Sequence, residues 1–198
     1  MFLGELRDGD RVPQREISKT LGVSLVPVRE AVASLHREGV VTIEPHRGAF
    51  VNGLDAGVVR EQFLVYGRIY GLAVGNLTRR NLPSVVAKLR AMAEEVRHEQ
   101  DLDALLAKSI ELQMLAVENG GSKRLRALLS PIWRMVPGNV YVTIPGSAQL
   151  ARERLPEMVA RIEAGDAEQA ERACWRLLDD FGELVAIHLS GADRSHAG

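Results

Sequence analysis

Arg29, His46 and Arg47 are the side chains whose type and spacing most invite chemistry. Arg29 lies in a segment where Val28, Val32 and Leu35 recur at i, i+4 and i+7. A helix there would turn those three inward and leave Val26, Arg29, Ala33, His36 and Arg37 facing out or flanking the stripe. His46 and Arg47 fall in Glu44-Pro45-His46-Arg47-Gly48, a turn sequence between two β-branched or apolar runs, and would form its basic tip. Guanidinium groups held on a rigid helix face and at a turn tip match phosphate oxygens and base edges, so the chemistry is recognition of an anionic polymer. Covalent catalysis has no comparable signal. The chain has no glycine-rich phosphate loop, nucleophile elbow or HExxH, and its single cysteine, Cys174, sits in an apolar helical stripe where a thiol is inert.

The elements that must position these groups are legible nearby. Gly22 interrupts an apolar-periodic segment (Ile17, Leu21) shortly before the second one begins, as the turn between two helices requires. Pro27 suits the first position of the second helix, and Ser24 is placed to accept an orphan amide hydrogen bond at its start. Gly39 ends that helix. The run Val40, Val41, Thr42, Ile43, the turn, and then Ala49-Phe50-Val51 read as strand, turn, strand. Residues 15–52 therefore read as a winged helix-turn-helix, a shape that fits DNA.

Composition bounds the rest. With 198 residues the chain has room for one or two domains, and 46% hydrophobic content supplies cores. A formal net charge of −1 gives no overall sign of nucleic-acid binding. The first 53 residues hold seven acids and seven bases, so a positive field must come from spatial segregation. One cysteine excludes an intrachain disulfide and a cysteine zinc site. With no signal peptide and no apolar run of membrane-spanning length, the expectation is a cytoplasmic protein without membrane contact.

The expected division is 1–52 for the winged helix-turn-helix, 53–57 for a linker carrying Gly53 and Gly57, and 58–198 for an all-α bundle. The fold class is thus mostly α with a small two-stranded wing. Downstream periodicity predicts helices over about 56–80, 83–98, 101–118, 122–136, 147–164 and 167–190. Gly165 should end one helix and Asp166 cap the next, with Gln169 at the capping-box position. The last helix should bury Ala170, Cys174, Leu177, Phe181, Leu184 and Leu189. Pro131 and Pro156 should kink or bound their helices, and 136–146, with two Pro and two Gly, should be a loop.

The stretch VPVREAVASLHREGVV followed by PHRGAFV resembles the DNA-binding signature of GntR-family bacterial repressors, over roughly residues 5–52. The run GDAEQAERA near Gly165 is similar to the last part of the FCD-type domain that accompanies it in the FadR subfamily. Position by position, the resemblance implies DNA contacts from Arg15 before the first motif helix, from Ser24 and Arg29 on the recognition helix, and from His46, Arg47 and Gly48 at the wing. Val26 joins them on the outward face. Leu25 stands where the family commonly has an Arg, which implies a missing base or phosphate contact. The family also places a full helix ahead of the motif. The eight residues before Gly9 allow about two turns, so a shortened first helix is expected.

In the FCD family one Asp and three His commonly hold a divalent metal. Here those positions fall on Ser109, Gln113, Leu155 and Leu177, so no metal is expected. A bundle cavity can still take a small organic effector directly, as in metal-free members of the family. The residues expected to line it are Tyr66, Tyr70, Ser109, Gln113, Trp133 and Arg134. Each also has a plain structural reading: Trp133 as core or interface, Tyr66 and Tyr70 as an i, i+4 packing pair, Gln113 as a solvated amide. The resemblance implies a homodimeric, non-enzymatic transcription regulator on a pseudo-palindromic duplex operator, commonly a repressor, switched by an effector in the helical domain. The alternative is a helical domain that serves only as a dimerisation or interaction scaffold without a ligand.

Overall fold

The computed structural model describes residues 6, 8–37, 39–52, 56–135 and 140–194, with side chains described outside 130–135 and 191–194. The chain divides into two compact units, Met1–Asp55 and Ala56–Gly198. Ala56 and Gly57, counted above with the linker, are already helical. The expectation of a shortened leading helix falls on residues 1–5 and 7 and lies outside the described residues.

In the first unit α1 (Gln14–Thr20) and α2 (Leu25–Arg37) flank a turn in which Gly22 takes φ 64°, a conformation that costs a residue without a Cβ little. Ser18 fastens that turn by donating its hydroxyl to the Val23 carbonyl at 2.7 Å. Pro27 is the third residue of α2, where the sequence placed it first. Both positions are tolerated, because the first four helical N–H groups have no intrahelical acceptor. Val28 and Val32 are buried as expected, but Leu35 is 37% exposed. Among the described residues the core cluster here is Val12, Val32, Val41, Ala49 and Val51 with Leu6, Ile17 and Val40 around it, a narrow patch that leaves the third turn of α2 partly open.

β1 (Val41–Glu44) and β2 (Gly48–Val51) pair antiparallel, with Val41 opposite Val51 and Glu44 opposite Gly48. His46 at φ 64° and Gly48 at φ 120° turn the chain between them. The segment before α1 joins this ribbon. Arg11 bridges Phe50, the Val12 amide donates to the Ala49 carbonyl at 2.8 Å, and the Gly9 amide donates to the Val51 carbonyl at 2.9 Å. At the other end Asn52 donates to the Gly39 carbonyl and accepts from the Thr42 hydroxyl, both at 2.7 Å. The wing is thus held by backbone pairing on one edge and a side-chain amide at its base, which satisfies groups a two-stranded ribbon would leave open.

The regular structure of the second unit is helical among the described residues: α3 (Ala56–Arg80), α4 (Pro83–His98), α5 (Leu102–Gly120), α6 (Lys123–Met135), α7 (Val140–Thr143), α8 (Ser147–Glu163) and α9 (Ala167–Arg194). The first and last of these pack along most of their length, because Gly67, Gly71 and Gly75 at i, i+4, i+8 bring α3 against Glu171 and Trp175 of α9. Tyr70, Leu77, Leu89, Leu105, Leu112, Leu155, Met158 and Cys174 fill the core between helices, each leucine contributing on the order of 2 kcal/mol by leaving water. Asp101 caps α5 by accepting from the Ala104 amide at 2.8 Å. Asp166 caps α9 from Gln169 at 3.0 Å after Gly165 turns at φ 73°.

Pro156 and Pro131 lie inside α8 and α6, which run through them, so neither proline bounds its helix; Pro156 is buried, so its packing offsets the lost hydrogen bond. Two helical expectations are corrected. The expected loop over 136–146 contains the single turn α7, and its residues 136–139 lie outside the described ones. On α9 the stripe is fully buried only through Leu177. Phe181, Leu184 and Leu189 are half-buried, and Val185 takes the buried position.

Candidate functional site

Among the described residues, one concavity in each unit gathers the polar groups singled out from the sequence. In the first, α1, α2 and the wing enclose an open groove of about 830 Å³ whose walls include Arg11, Arg15, Leu25, Arg29, Ile43, His46 and Gly48. Three arginines and a histidine line one concavity, a local excess of bases within a unit of balanced charge. Glu16 and Glu44 also line it. Of the residues singled out from the sequence, Arg15, Arg29, His46 and Gly48 meet here, whereas Ser24, Val26 and Arg47 lie outside the groove, all exposed. Arg15 sits in the first turn of α1 and not before it. Arg47 pairs with Glu44 across the turn and stands over the Phe50 ring at 5.4 Å, which fixes its direction at the wing tip. Val26, 61% exposed on the first turn of α2, is an apolar side chain offered to a partner. Leu25 is half-buried in the groove wall.

Arg11 was not singled out from the sequence. It precedes the first helix and carries no periodic signal; only its bridge to Phe50 places it in the groove. Gly48 makes room for it: a Cβ there would stand 2.9 Å from Arg11 Nε, at a φ of 120° that side chains rarely adopt. That glycine is therefore favoured by its backbone conformation, apart from any contact of its own.

In the second unit α3, α5, α6, α7, α8 and α9 surround a cavity of about 60 Å³. Tyr70, Ser109, Gln113, Tyr141, Leu155 and Leu177 line it, with Phe63 and Phe181 packed at 5.4 Å between ring centroids on one wall. The four positions that the resemblance assigns to metal ligands, Ser109, Gln113, Leu155 and Leu177, thus converge on one space. Their chemistry does not fit a divalent cation. Two are hydrocarbon, and a hydroxyl with an amide is a weak donor pair. No cluster of three His, Cys, Asp or Glu occurs among the described residues. Gln113 Nε2 donates to the Ser109 carbonyl at 3.1 Å, while Ser109 Oγ, on a residue 1% exposed, has no hydrogen-bond partner of ordinary geometry. Burial pushes the Tyr141 phenol up; the adjacent Ser109 hydroxyl and the charge of Arg152 pull it part of the way back. Tyr70 donates weakly to Met158 Sδ at 3.5 Å, and burial, then Cys174, raises its pKa well above the usual phenol value. Cys174 is itself raised by burial and then by Glu171, which leaves a protonated, unreactive thiol.

Of the six residues expected to line a pocket, Tyr70, Ser109 and Gln113 do so. Tyr66 packs half-buried against the core instead, and the side chains of Trp133 and Arg134 lie outside the described residues. Tyr141 was missed because its segment read as a loop; a Val-Tyr-Val run between two Pro-Gly pairs is too short to register as a helix.

The fold and both sites can now be set beside known proteins. Residues 2–51 match the family described as bacterial regulatory proteins, gntR family, and residues 65–180 match the FCD domain. The chain belongs to the GntR family of transcriptional regulators with an FCD-type C-terminal domain. It is 28% identical over 174 residues to an uncharacterized HTH-type transcriptional regulator of Mycobacterium tuberculosis, spanning 88% of this chain and 71% of that one. It is 24% identical over 193 residues to the HTH-type transcriptional repressor RspR of Escherichia coli, across 89% of this chain and 80% of RspR. The solved structure of McbR/YncC from the same organism shares the fold with a TM-score of 0.70 at 20% identity, covering 96% of this chain and 92% of that one. Among the described residues no helix is long and apolar enough to cross a membrane.

Proposed function

We propose that this regulator is a homodimeric, non-enzymatic repressor whose operator affinity is set by a small organic effector bound in the helical domain without a metal. The buried Ser109 hydroxyl, which faces a cavity beside the Tyr141 phenol without a hydrogen bond of ordinary geometry, carries the effector reading, since such a group normally has a well-formed partner. Arg11, Arg15, Arg29 and His46 in the groove and Arg47 at the wing tip would contact duplex DNA, the arginines on α1 and α2 reaching phosphate or base edges. Ser24, Val26 and Gly48 would complete that surface. Val58, Val65 and Leu72 support dimerisation: they recur every seven residues on one face of α3 and are 52%, 56% and 47% exposed. Two such copies would place two recognition helices on a pseudo-palindrome in successive major grooves. The name of RspR supports repression, and a protein that binds chromosomal DNA would work in the cytoplasm.

The smallness of the cavity favours a second reading, a scaffold without a ligand, because organic ligands usually occupy ~300 Å³ or more. Operator binding titrated against a library of metabolite-sized compounds separates the two. The effector reading expects a compound that shifts the isotherm of the parent protein but not of Ala151→Phe, which fills the cavity. If compounds shown to occupy the cavity leave operator affinity unmoved, coupling is refuted.

A further inference from the structure

We infer that the cavity selects an uncharged, largely hydrocarbon molecule of a few heavy atoms carrying one hydrogen-bonding oxygen, received by Ser109. This rests on the effector reading and names the chemistry of its ligand. No described side chain that lines the cavity is ionisable to a charge near neutral pH, since Tyr70 and Tyr141 both have raised pKa values. An ammonium placed there would lose its water with no described counter-ion, and a carboxylate would find only the charge of Arg152 that reaches Tyr141, itself outside the lining, whereas a hydroxyl, ketone or amide needs only a hydrogen bond. The partner for that bond is present. Ser109 Oγ is buried without a hydrogen bond of ordinary geometry, beside the Tyr141 phenol, and either hydroxyl can donate or accept. Tyr70 directs its O–H to Met158 and is left with acceptor capacity alone.

Size narrows the class further. A space of 60 Å³ corresponds to on the order of five water-sized positions, room for a short chain or small ring. Phe63, Leu106, Ile110, Leu129, Leu155 and Leu178 would enclose the hydrocarbon part. The same exchange that removes metal donors, with Leu155 and Leu177 in place of ligating side chains, supplies that apolar wall.

A set of four-carbon probes that differ only in the head group tests the assignment. Butan-1-ol, butanone and butanamide are compared with butanoate and butylammonium by ligand-observed saturation-transfer NMR on the full chain, once with EDTA and once with added zinc. The expected result is binding of one or more neutral probes at least tenfold tighter than either ion and indifferent to zinc. Ser109→Ala should weaken it about tenfold, and Ala151→Phe should abolish it while the folded spectrum is retained. Butanoate bound as well as the neutral probes, or binding that appears only with zinc, would overturn the assignment while leaving effector control standing. Failure of every neutral probe, or Ser109→Ala equal to the parent, would also overturn it. Operator anisotropy with the bound probe reads coupling separately, so loss of coupling would count against effector control and not against the ligand class.

Discussion

Arg29 and Arg11 share one groove but belong to different structural origins, and their substitutions should behave differently. Arg29 projects from α2, the helix that the proposed function puts in a major groove, so Arg29→Ala should cost ~1–3 kcal/mol on the operator and relax preference at one base position. Arg11 is set by backbone pairing to the wing edge, where phosphate is the natural partner. Arg11→Ala should weaken operator and scrambled duplex alike and lower the salt slope by about one. Anisotropy titrations at several salt concentrations distinguish the two, and equal losses of selectivity would show the assignment to be wrong. At the core, Cys174 and Tyr70 make stability fall in alkali. Both are neutral when protonated and both pKa values are raised in the fold, so above the ordinary thiol value of 9.0 the unfolded chain releases a proton that the native chain keeps. Stability from this source is complete below pH 9 and declines above it. Urea midpoints should therefore drop between pH 9 and 10, by less in Cys174→Ala; a flat profile would contradict the burial argument.

Helix α3 is defined by what its glycines permit. A Cβ on Gly120 of α5 would overlap the carbonyl oxygen of Ala73 on α3, and one on Gly71 would overlap the Trp175 ring nitrogen. The first obstacle is backbone and cannot rotate away. Gly120→Ala should destabilise by about 1–3 kcal/mol or more, and Gly71→Ala by less, since an indole can shift. Thermal unfolding followed by circular dichroism orders them, and a Gly120→Ala protein as stable as the parent would contradict the packing described. Much of this architecture was legible beforehand. The Val28-Val32 stripe, the β-branched wing strands and the Gly165-Asp166 punctuation are local signals, and each forms the element its own residues prefer. What escaped depends on distant partners. Arg11 acquires its place through a bridge to Phe50, and α7 rests on α5 and α8. Leu35 is left partly exposed because the core opposite it is small. The cavity was half legible for the same reason: Tyr70, Ser109 and Gln113 lie on strongly periodic helices, whereas Tyr141 does not.

At the scale of the whole molecule the proposed function needs two copies and one duplex. The face of α3 carrying Val58, Val65 and Leu72 should be covered in the dimer, so Val65→Asp should shift the mass measured by light scattering toward the monomer and weaken operator binding, leaving helicity unchanged. A variant that stays dimeric would move the interface elsewhere. The central claim, that the first unit reads a specific DNA sequence, is tested most directly by fluorescence anisotropy on the duplex upstream of the protein's own gene against a scrambled duplex of equal length, at several salt concentrations. The account predicts tight, selective binding that weakens steeply with salt and loses selectivity in Arg29→Ala. Equal weak binding to both duplexes, unchanged by that substitution, would contradict it.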